Sequence, residues 1–266
     1  MKADFDHIAN EYDTDFTFTE IGKRQRNLVR YFLEKLPNNL NVLELNCGTG
    51  EDAIWFAKKG NNVLATDISK KMLAVAQQKS KGITNLKFQQ LDINNIECIT
   101  NQENLSDNPQ KFDLIFSNFG GLNCLSKSQL KLYFDIATKL LNKDGRIICV
   151  FMPKNCLWEN KYLFLTGKWK LLFRRNTKKS VDVQITNSIV KTWYYNPNEI
   201  LELTKNKFKL EHQNPIGFFI PPSYLEPFFK NKIWMLNCLN WMEKKVNQLS
   251  FLSKYSDHYI IRLQLK

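Results

Sequence analysis

The stretch "VLELNCGTGEDA", Val42 to Ala53, constrains this chain more than any other. An apolar run that suits a buried strand meets a glycine turn, and residues that suit a helix follow. Nucleotide-binding α/β domains open in this way. The spacing Gly48-x-Gly50-x-x-Ala53 would fit a dinucleotide. Glu51 and Asp52, however, stand in the first turn of the following helix, where free N–H groups and the helix dipole would hold a pyrophosphate. Two carboxylates there stabilise the helix and repel a diphosphate. Glu44, inside the strand, directs a third acid toward the turn. The expected ligand is neutral or cationic near this loop and carries a ribose.

Around this turn, strands and helices alternate. Apolar strands are expected at 41–45, 61–67, 86–92, 111–118 and 145–152, with helices at 51–59, 69–80 and from Ser126 to Leu141. Crossover helices between strands imply right-handed connections and a parallel sheet. The unbroken apolar character of 112–117 and 147–151 suits strands covered on both faces. Ahead of the sheet, "FDHIANEYD" and "GKRQRNLVRYFLEKLP" read as helices, the second ending at Pro37.

Past Pro153 the character shifts, and five of the six tryptophans (Trp158, Trp169, Trp193, Trp234, Trp241) fall there. The pattern predicts a helix over about 156–175, a β-like run at 180–195, a capped helix from Asn198 and a strand near 207–213. The "PIGFFIPPSYLEPFF" segment, a helix to about 248 and a closing strand "DHYIIRLQL" complete it. The expected division is 1–40 as an N-terminal helical cofactor lid, 41–152 as the nucleotide-binding core, and 153–266 as the end of the sheet with an inserted, aromatic-rich substrate lid.

Composition narrows the class. With 266 residues, 43% of them hydrophobic, a sizeable core is assured. "MKADFDHIANEYD" lacks the apolar region of a signal peptide, and no apolar run approaches the roughly 20 residues of a membrane span. The six cysteines are scattered, without C-x-x-C or a His–Cys cluster, which argues for reduced thiols in a cytoplasmic protein and against a zinc site. The net charge of +12 is either a solvated surface or a match for an acidic partner: nucleic acid, an anionic membrane face or an acidic carrier protein.

Four motifs in order resemble the class I S-adenosylmethionine-dependent methyltransferases, over roughly Phe5 to Met152. "VLELNCGTG" looks like their first motif, with Asn46 where a glycine or aspartate is usual. "VLATDIS" looks like the end of their second strand, "QLDI" like the third motif and "FDLIFSNFGGLN" like the fourth. The resemblance implies a doubly wound, seven-stranded Rossmann-like sheet in the order 3-2-1-4-5-7-6 with the last strand antiparallel. It implies S-adenosyl-L-methionine as cofactor, which carries no phosphate but an ammonium and a sulfonium. By that resemblance Glu44, Asn46, Cys47, Gly48, Thr49 and Gly50 form the first cofactor loop, and Asp67 holds the ribose hydroxyls. Ile68 and Met72 flank the adenine, Asp92 and the Ile93 N–H meet its edge, and Asn118 and Phe119 lie beside the methionine end. Bland alternatives stand beside these roles: Asp92 could cap a turn, Asn118 could satisfy loop backbone, and Cys47 reads as a small buried residue rather than a nucleophile. "FDHIANEYDTDF" resembles a helix folded over the cofactor. Tyr12 would then close on the methionine end, with a catalytic part open to it, and Arg26 would pair with the cofactor carboxylate; a plain surface helix is the alternative.

Methyl transfer is an in-line displacement that needs a base only when the acceptor carries a proton. Of the three histidines, His258 in "SDHYII" is the best base candidate, with a structural role as its alternative, and His7 is the weaker second. Ser117-Asn118-Phe119-Gly120 is not the N/D-P-P-Y/F motif of amino methylation on nucleic-acid bases, so DNA is not expected as substrate. The aromatic second half points instead to a lipophilic or aromatic small molecule, methylated on oxygen or carbon. It would be free or held on an acidic carrier met by Lys168, Lys170, Arg174 and Arg175. "KWKLLFRRNTKK" keeps an RNA methyltransferase as the alternative, and a non-catalytic cofactor-binding module is a second. Oligomeric state and acceptor identity are not legible in the sequence.

Overall fold

The computed structural model describes residues 5–101, 111–185 and 188–266. Five parallel strands come first: β1 (Asn41–Leu45), β2 (Asn62–Asp67), β3 (Leu86–Gln90), β4 (Phe112–Ser117) and β5 (Leu141–Phe151). A separate antiparallel pair follows, β6 (Val181–Ile185) and β7 (Ser188–Thr192). Then β8 (Phe208–Ile216) and β9 (His258–Leu265) complete the main sheet in the order β3-β2-β1-β4-β5-β9-β8. Among the described strands of this sheet, β9 runs opposite to the other six, so its first residue, His258, lies at the same edge as the carboxyl ends of β1 to β5. The order and the single reversal are those expected.

Alternate residues along each strand serve two apolar layers. Leu43, Ile115, Ile147 and Cys149 face one way, while Val42, Leu114, Phe116 and Ile148 face the other. Helix α1 (Glu20–Leu33) buries Leu28, Val29 and Leu33 in the second layer, beside α2 (Glu51–Lys58). Helix α3 (Lys70–Lys79) is capped by Ser69, which accepts from Met72 N, and a single turn α4 (Cys98–Asn101) follows β3. Helix α5 (Lys127–Leu140) covers the first layer behind a Ser126–Gln129 capping box. A third, smaller cluster joins the N-terminal region to the second half. Ile21 of α1 packs with Ile220, Phe229 and Leu236, and Trp158, Met235 and Leu239 close around them.

Several boundaries differ from the sequence reading. "FDHIANEYD" is no continuous helix but a tight turn at Asp6–Ile8 followed by a wide turn at Asp13–Thr17, because Asp13 is drawn inward to polar partners described below. β5 begins at Leu141 rather than Gly145, with Asp144 at φ +62° and a register shift opposite Phe112 and Leu114. Asn142 anchors this early start by donating to Asp113 Oδ1 at 2.7 Å. The helix expected over 156–175 stops as α6 (Leu157–Leu165), where Thr166 bonds back to Tyr162 O at 2.8 Å and Gly167 takes φ +70°. Helix α7 (Pro197–Thr204) starts ahead of Asn198, since Pro197 suits a first turn and Glu199 accepts from Asn196 N at 2.9 Å. Two short helices finish the chain's second half, α8 (Glu226–Phe229) and α9 (Ile233–Val246). Part of the β-like run, residues 186–187, lies outside the described residues.

Candidate active site

The site is assembled where β1, β2 and β4 end and β9 begins. Two non-glycine residues there hold left-handed backbone, Asn46 at φ +56° and Phe119 at φ +44°, a strained choice that clusters at functional turns. The two turn glycines serve different ends. A Cβ on Gly50 would lie 2.8 Å from the Ala76 Cβ, so this glycine lets α2 approach α3. A Cβ on Gly48 would meet nothing within 4 Å, so Gly48 leaves open room above the turn.

Asp67 ties the turn to β2. Its Oδ2 accepts from Gly48 N at 2.9 Å and its Oδ1 from Ser69 N at 2.8 Å. Burial pushes this carboxyl above its ordinary value, against the pull of those N–H groups. Beyond it, Ile68 is half-buried, Met72 is buried, and buried Ile93 begins the turn that Asp92 caps by accepting from Asn94 N and Nδ2, both at 2.9 Å. Of the two readings of Asp92, the capping bond is present.

Asp52 is not a bare anion at the helix start. It is buried and bonded to Arg26, to Arg30 (3.2 and 3.1 Å) and to Asn118 Nδ2 (2.7 Å). Lys79 Nζ lies 2.6 Å from Glu51. The repulsion of a diphosphate expected from Glu51 and Asp52 is therefore absent, because four cationic or donor groups neutralise them. Arg26, expected to pair with a cofactor carboxylate, is bonded through Nη1 to Asp52 and lies 4.9 Å over the Phe119 ring. Asn118 is likewise occupied, since its Oδ1 accepts from Phe119 N at 2.8 Å.

What the turn does offer is a set of buried polar atoms without partners: Glu44 Oε2, Asn46 Oδ1 and Arg26 Nε. Such atoms cost free energy unless a ligand answers them. Burial, together with the nearby Asp52, pushes the Glu44 carboxyl well above its ordinary value. Two acceptors and one guanidinium donor complement an ammonium and a carboxylate, the amino-acid end of S-adenosyl-L-methionine. Cys47 beside them is buried, and burial pushes its thiol up, which makes it inert.

The N-terminal segment roofs this edge. Thr49 Oγ1 donates to Asp13 at 2.6 Å, and Lys79 bridges Asp13 (2.5 Å) and Glu51. Ser69 Oγ donates to Asp6. A file of rings then crosses the site: Tyr12 to Phe16 at 5.5 Å, Phe16 to Phe119 at 5.5 Å, and Phe119 to His258 at 5.7 Å. Burial holds the Tyr12 hydroxyl up at about 12, with Arg26 opposing and Asp67 adding to the shift, so it stays protonated as a donor. Asp13 and Phe16 sit in "YDTDF" beside Tyr12, and their polar–aromatic pairing was the available hint of their part.

On the far side of Phe119, His258 is buried with Nδ1 3.1 Å from Asp257 Oδ2, though not aligned for a hydrogen bond. Asp257 also accepts from Gln25 Nε2 (3.2 Å) and Arg175 Nη2 (3.1 Å). Burial opposes its charge, and His258 and Arg175 outweigh that, holding it below the ordinary carboxylate range. His7, by contrast, is exposed on the first turn.

Two expectations for the second half are corrected. Arg174 and Arg175 do not face a carrier: both grip buried Glu159, at 2.9 Å each, and Arg175 also holds Asp257. Nothing in a run of lysines and arginines distinguishes the one that turns inward. Nor do the tryptophans gather over the site. Trp158 donates to Phe219 O at 3.0 Å and Trp193 packs on the sheet, but Trp169, Trp234 and Trp241 are 66%, 72% and 62% exposed. Among the described residues no cluster of His, Cys, Asp or Glu could hold a metal, and no helix is long and apolar enough to cross a membrane.

A family profile described as a methyltransferase domain matches residues 36–198. The ubiquinone/menaquinone biosynthesis C-methyltransferase of Rickettsia typhi is 29% identical over 162 residues, covering 56% of this chain and 59% of its own. The malonyl-[acyl-carrier protein] O-methyltransferase 1 of Ilyobacter polytropus is 30% identical over 171 residues, covering 55% and 59%. The chain spans about half the length of the curated relatives it matches. Among solved structures, the PH0226 protein of Pyrococcus horikoshii superposes with a TM-score of 0.59 at 17% identity, over 96% of this chain and 99% of that one, which shows a shared fold.

Proposed function

This chain belongs to the methyltransferase-domain family, and from that premise we propose that it methylates a lipophilic or aromatic small molecule with S-adenosyl-L-methionine as donor. The observation that carries the reading is the trio of unpartnered atoms on Glu44, Asn46 and Arg26, set beside Asp67 and below the open face of Gly48. Asp67 would accept from the ribose hydroxyls. Asp92 and the Ile93 N–H would meet the adenine, with Ile68 and Met72 along its faces. Glu44 and Asn46 would receive the ammonium, and Arg26 Nε the carboxylate. When bound, the cofactor supplies an electrophilic methyl group on sulfur.

The chain's own residues then orient and shield. Tyr12, Phe16 and Phe119 exclude water, which favours an in-line approach in an apolar setting. His258 takes the acceptor's proton on Nε2 where the acceptor is a hydroxyl or an acidic carbon, and Asp257 steadies the ring from the Nδ1 side. Likeness to the relatives named above supports a carbon, or an oxygen of a group held on acyl-carrier protein, among the acceptor types, the second only through one relative. Calorimetry tests the cofactor: Asp67→Ala should weaken binding by ~1–3 kcal/mol, the cost of losing hydrogen bonds to a charged group. Unchanged affinity would remove Asp67 from the site. Labelled methyl transfer to lipid-soluble extract, carrier-bound acyl chains and bulk RNA tests the acceptor, and label in RNA alone would overturn the reading.

A further inference from the structure

Helix α9 is apolar on two opposite faces. Inward it contributes Leu236 to the third cluster, with Leu239 packed against it. Outward, Trp234, Cys238, Trp241 and Lys245 recur at helical spacing and are exposed. A monomer gains nothing from two tryptophans left in water. The neighbouring elements continue the pattern. α6 meets α8 through Trp158 and Phe229, with ring centroids 6.2 Å apart. From these elements Phe164 (62%), Leu165 (71%) and Phe228 (56%) project outward, and Trp169 stacks on Phe164 at 6.5 Å.

The charges between these side chains have one sign. Residues 157–179 and 223–254 hold ten lysines. Their three carboxylates are turned to other work: Glu159 is held by Arg174 and Arg175, Glu226 accepts from Glu20 N and Ile21 N, and Glu243 accepts from the backbone of Gly217 through Ile220. The face thus shows tryptophan, phenylalanine and leucine among lysines that no carboxylate of these segments answers. Lys232 over Phe228 (3.3 Å) and Lys245 over Trp241 (5.5 Å) show how closely the two kinds alternate.

We propose that this face docks the protein on an anionic lipid surface, with the aromatic side chains entering the headgroup layer and the lysines meeting the lipid charges. Indole and phenyl rings favour that layer, and basic residues add attraction that fades within a Debye length. Nucleic acid would want the rings aligned along a basic groove; here they project singly from helix surfaces. Docking does not depend on which acceptor is methylated, so it is tested without turnover.

The 266-residue chain is sedimented with vesicles of phosphatidylcholine alone and of phosphatidylcholine with phosphatidylglycerol, following tryptophan emission. Binding should favour the anionic vesicles by at least about tenfold, shift the emission to the blue and weaken in high salt. Trp234→Ala with Trp241→Ala should reduce it about tenfold or more, and Lys244→Glu with Lys245→Glu should do the same while leaving cofactor binding intact. Equal binding to both vesicle types, no binding to either, or vesicle binding indifferent to both double variants would overturn the proposal. So would a dimer in sedimentation analysis that the tryptophan variants dissociate, because a second copy would then cover the face.

Discussion

Asp52 and Asp257 are both almost wholly buried, both gripped by an arginine, and both tied to α1, through Arg26 and Gln25 respectively. Their surroundings differ in kind. Asp52 is surrounded by two guanidiniums and an amide, groups that keep one charge state at any working pH. Asp257 shares its oxygens with an arginine, an amide and the ring of His258, a group able to exchange a proton. One carboxylate therefore locks the turn of the proposed cofactor site, while the other backs the histidine proposed to take the acceptor's proton. The comparison teaches that burial and ion pairing, common to both carboxylates, do not by themselves mark where chemistry takes place.

The largest effect should come from separating those two jobs. His258→Gln is expected to lower kcat by ~10²–10⁴-fold with cofactor affinity unchanged in calorimetry. Asn118→Ala, on the other network, should weaken the cofactor site and lower kcat by much less. Equal losses of kcat from the two variants, or none from His258→Gln, would dissolve the distinction and leave His258 as a packed strand residue.

Stability should separate the arginines next. Arg175→Met deprives Asp257 of its guanidinium partner and leaves Glu159 with Arg174 alone, and breaking a buried pair in this way costs ~3–5 kcal/mol. Arg26→Met leaves Asp52 still paired with Arg30 and Asn118, so the loss is nearer ~1–3 kcal/mol. Urea unfolding of both variants measures the gap. Arg26→Met should in addition weaken cofactor binding, since its Nε is the unpartnered donor, and Arg175→Met should not.

The first of these networks was partly legible in the sequence and the second hardly at all. Glycine spacing, strand periodicity and Asp67 are local features, so the strands and the turn could be read from short windows, while the sheet order came from the family resemblance of the motifs in them. Pairings across the fold leave no such trace. Asp52 and Arg26 both stood out, but as separate features, and their bond joins α1 to α2. Arg175 was hidden in a basic run whose neighbours remain on the surface. The tryptophans misled for a different reason: composition records that a segment is aromatic, not which way its rings face. Trp234 and Trp241 share the outer face of a helix whose inner face was already filled by Leu236 and Leu239.

The smallest expected effect sets Glu44 against Asp257 through pH. Asp257 is held below the ordinary aspartate value of about 3.9, so the unfolded chain binds its proton first as pH falls. Its stabilisation is complete above that value and is lost as pH drops through it. Glu44 works in the opposite sense. Burial first, then the nearby Asp52, raises its carboxyl above the ordinary glutamate value of about 4.3, so the folded chain keeps a proton that the unfolded chain has shed. Stability from Glu44 therefore falls as pH climbs past that value. Glu243 and Asp67 are raised too, so Glu44 carries only part of this decline. Urea midpoints taken at pH 5 and pH 8 should differ less in Glu44→Gln than in the unaltered protein, because the amide has no proton to lose. In Asp257→Asn the fall of the midpoint below pH 4 should be shallower than in the unaltered protein, because the amide takes up no proton. A Glu44→Gln protein with undiminished spacing would mean that Glu44 is ionised in the folded state, matched by Arg26, and the contrast between the Asp52 and Asp257 networks would then need a third class.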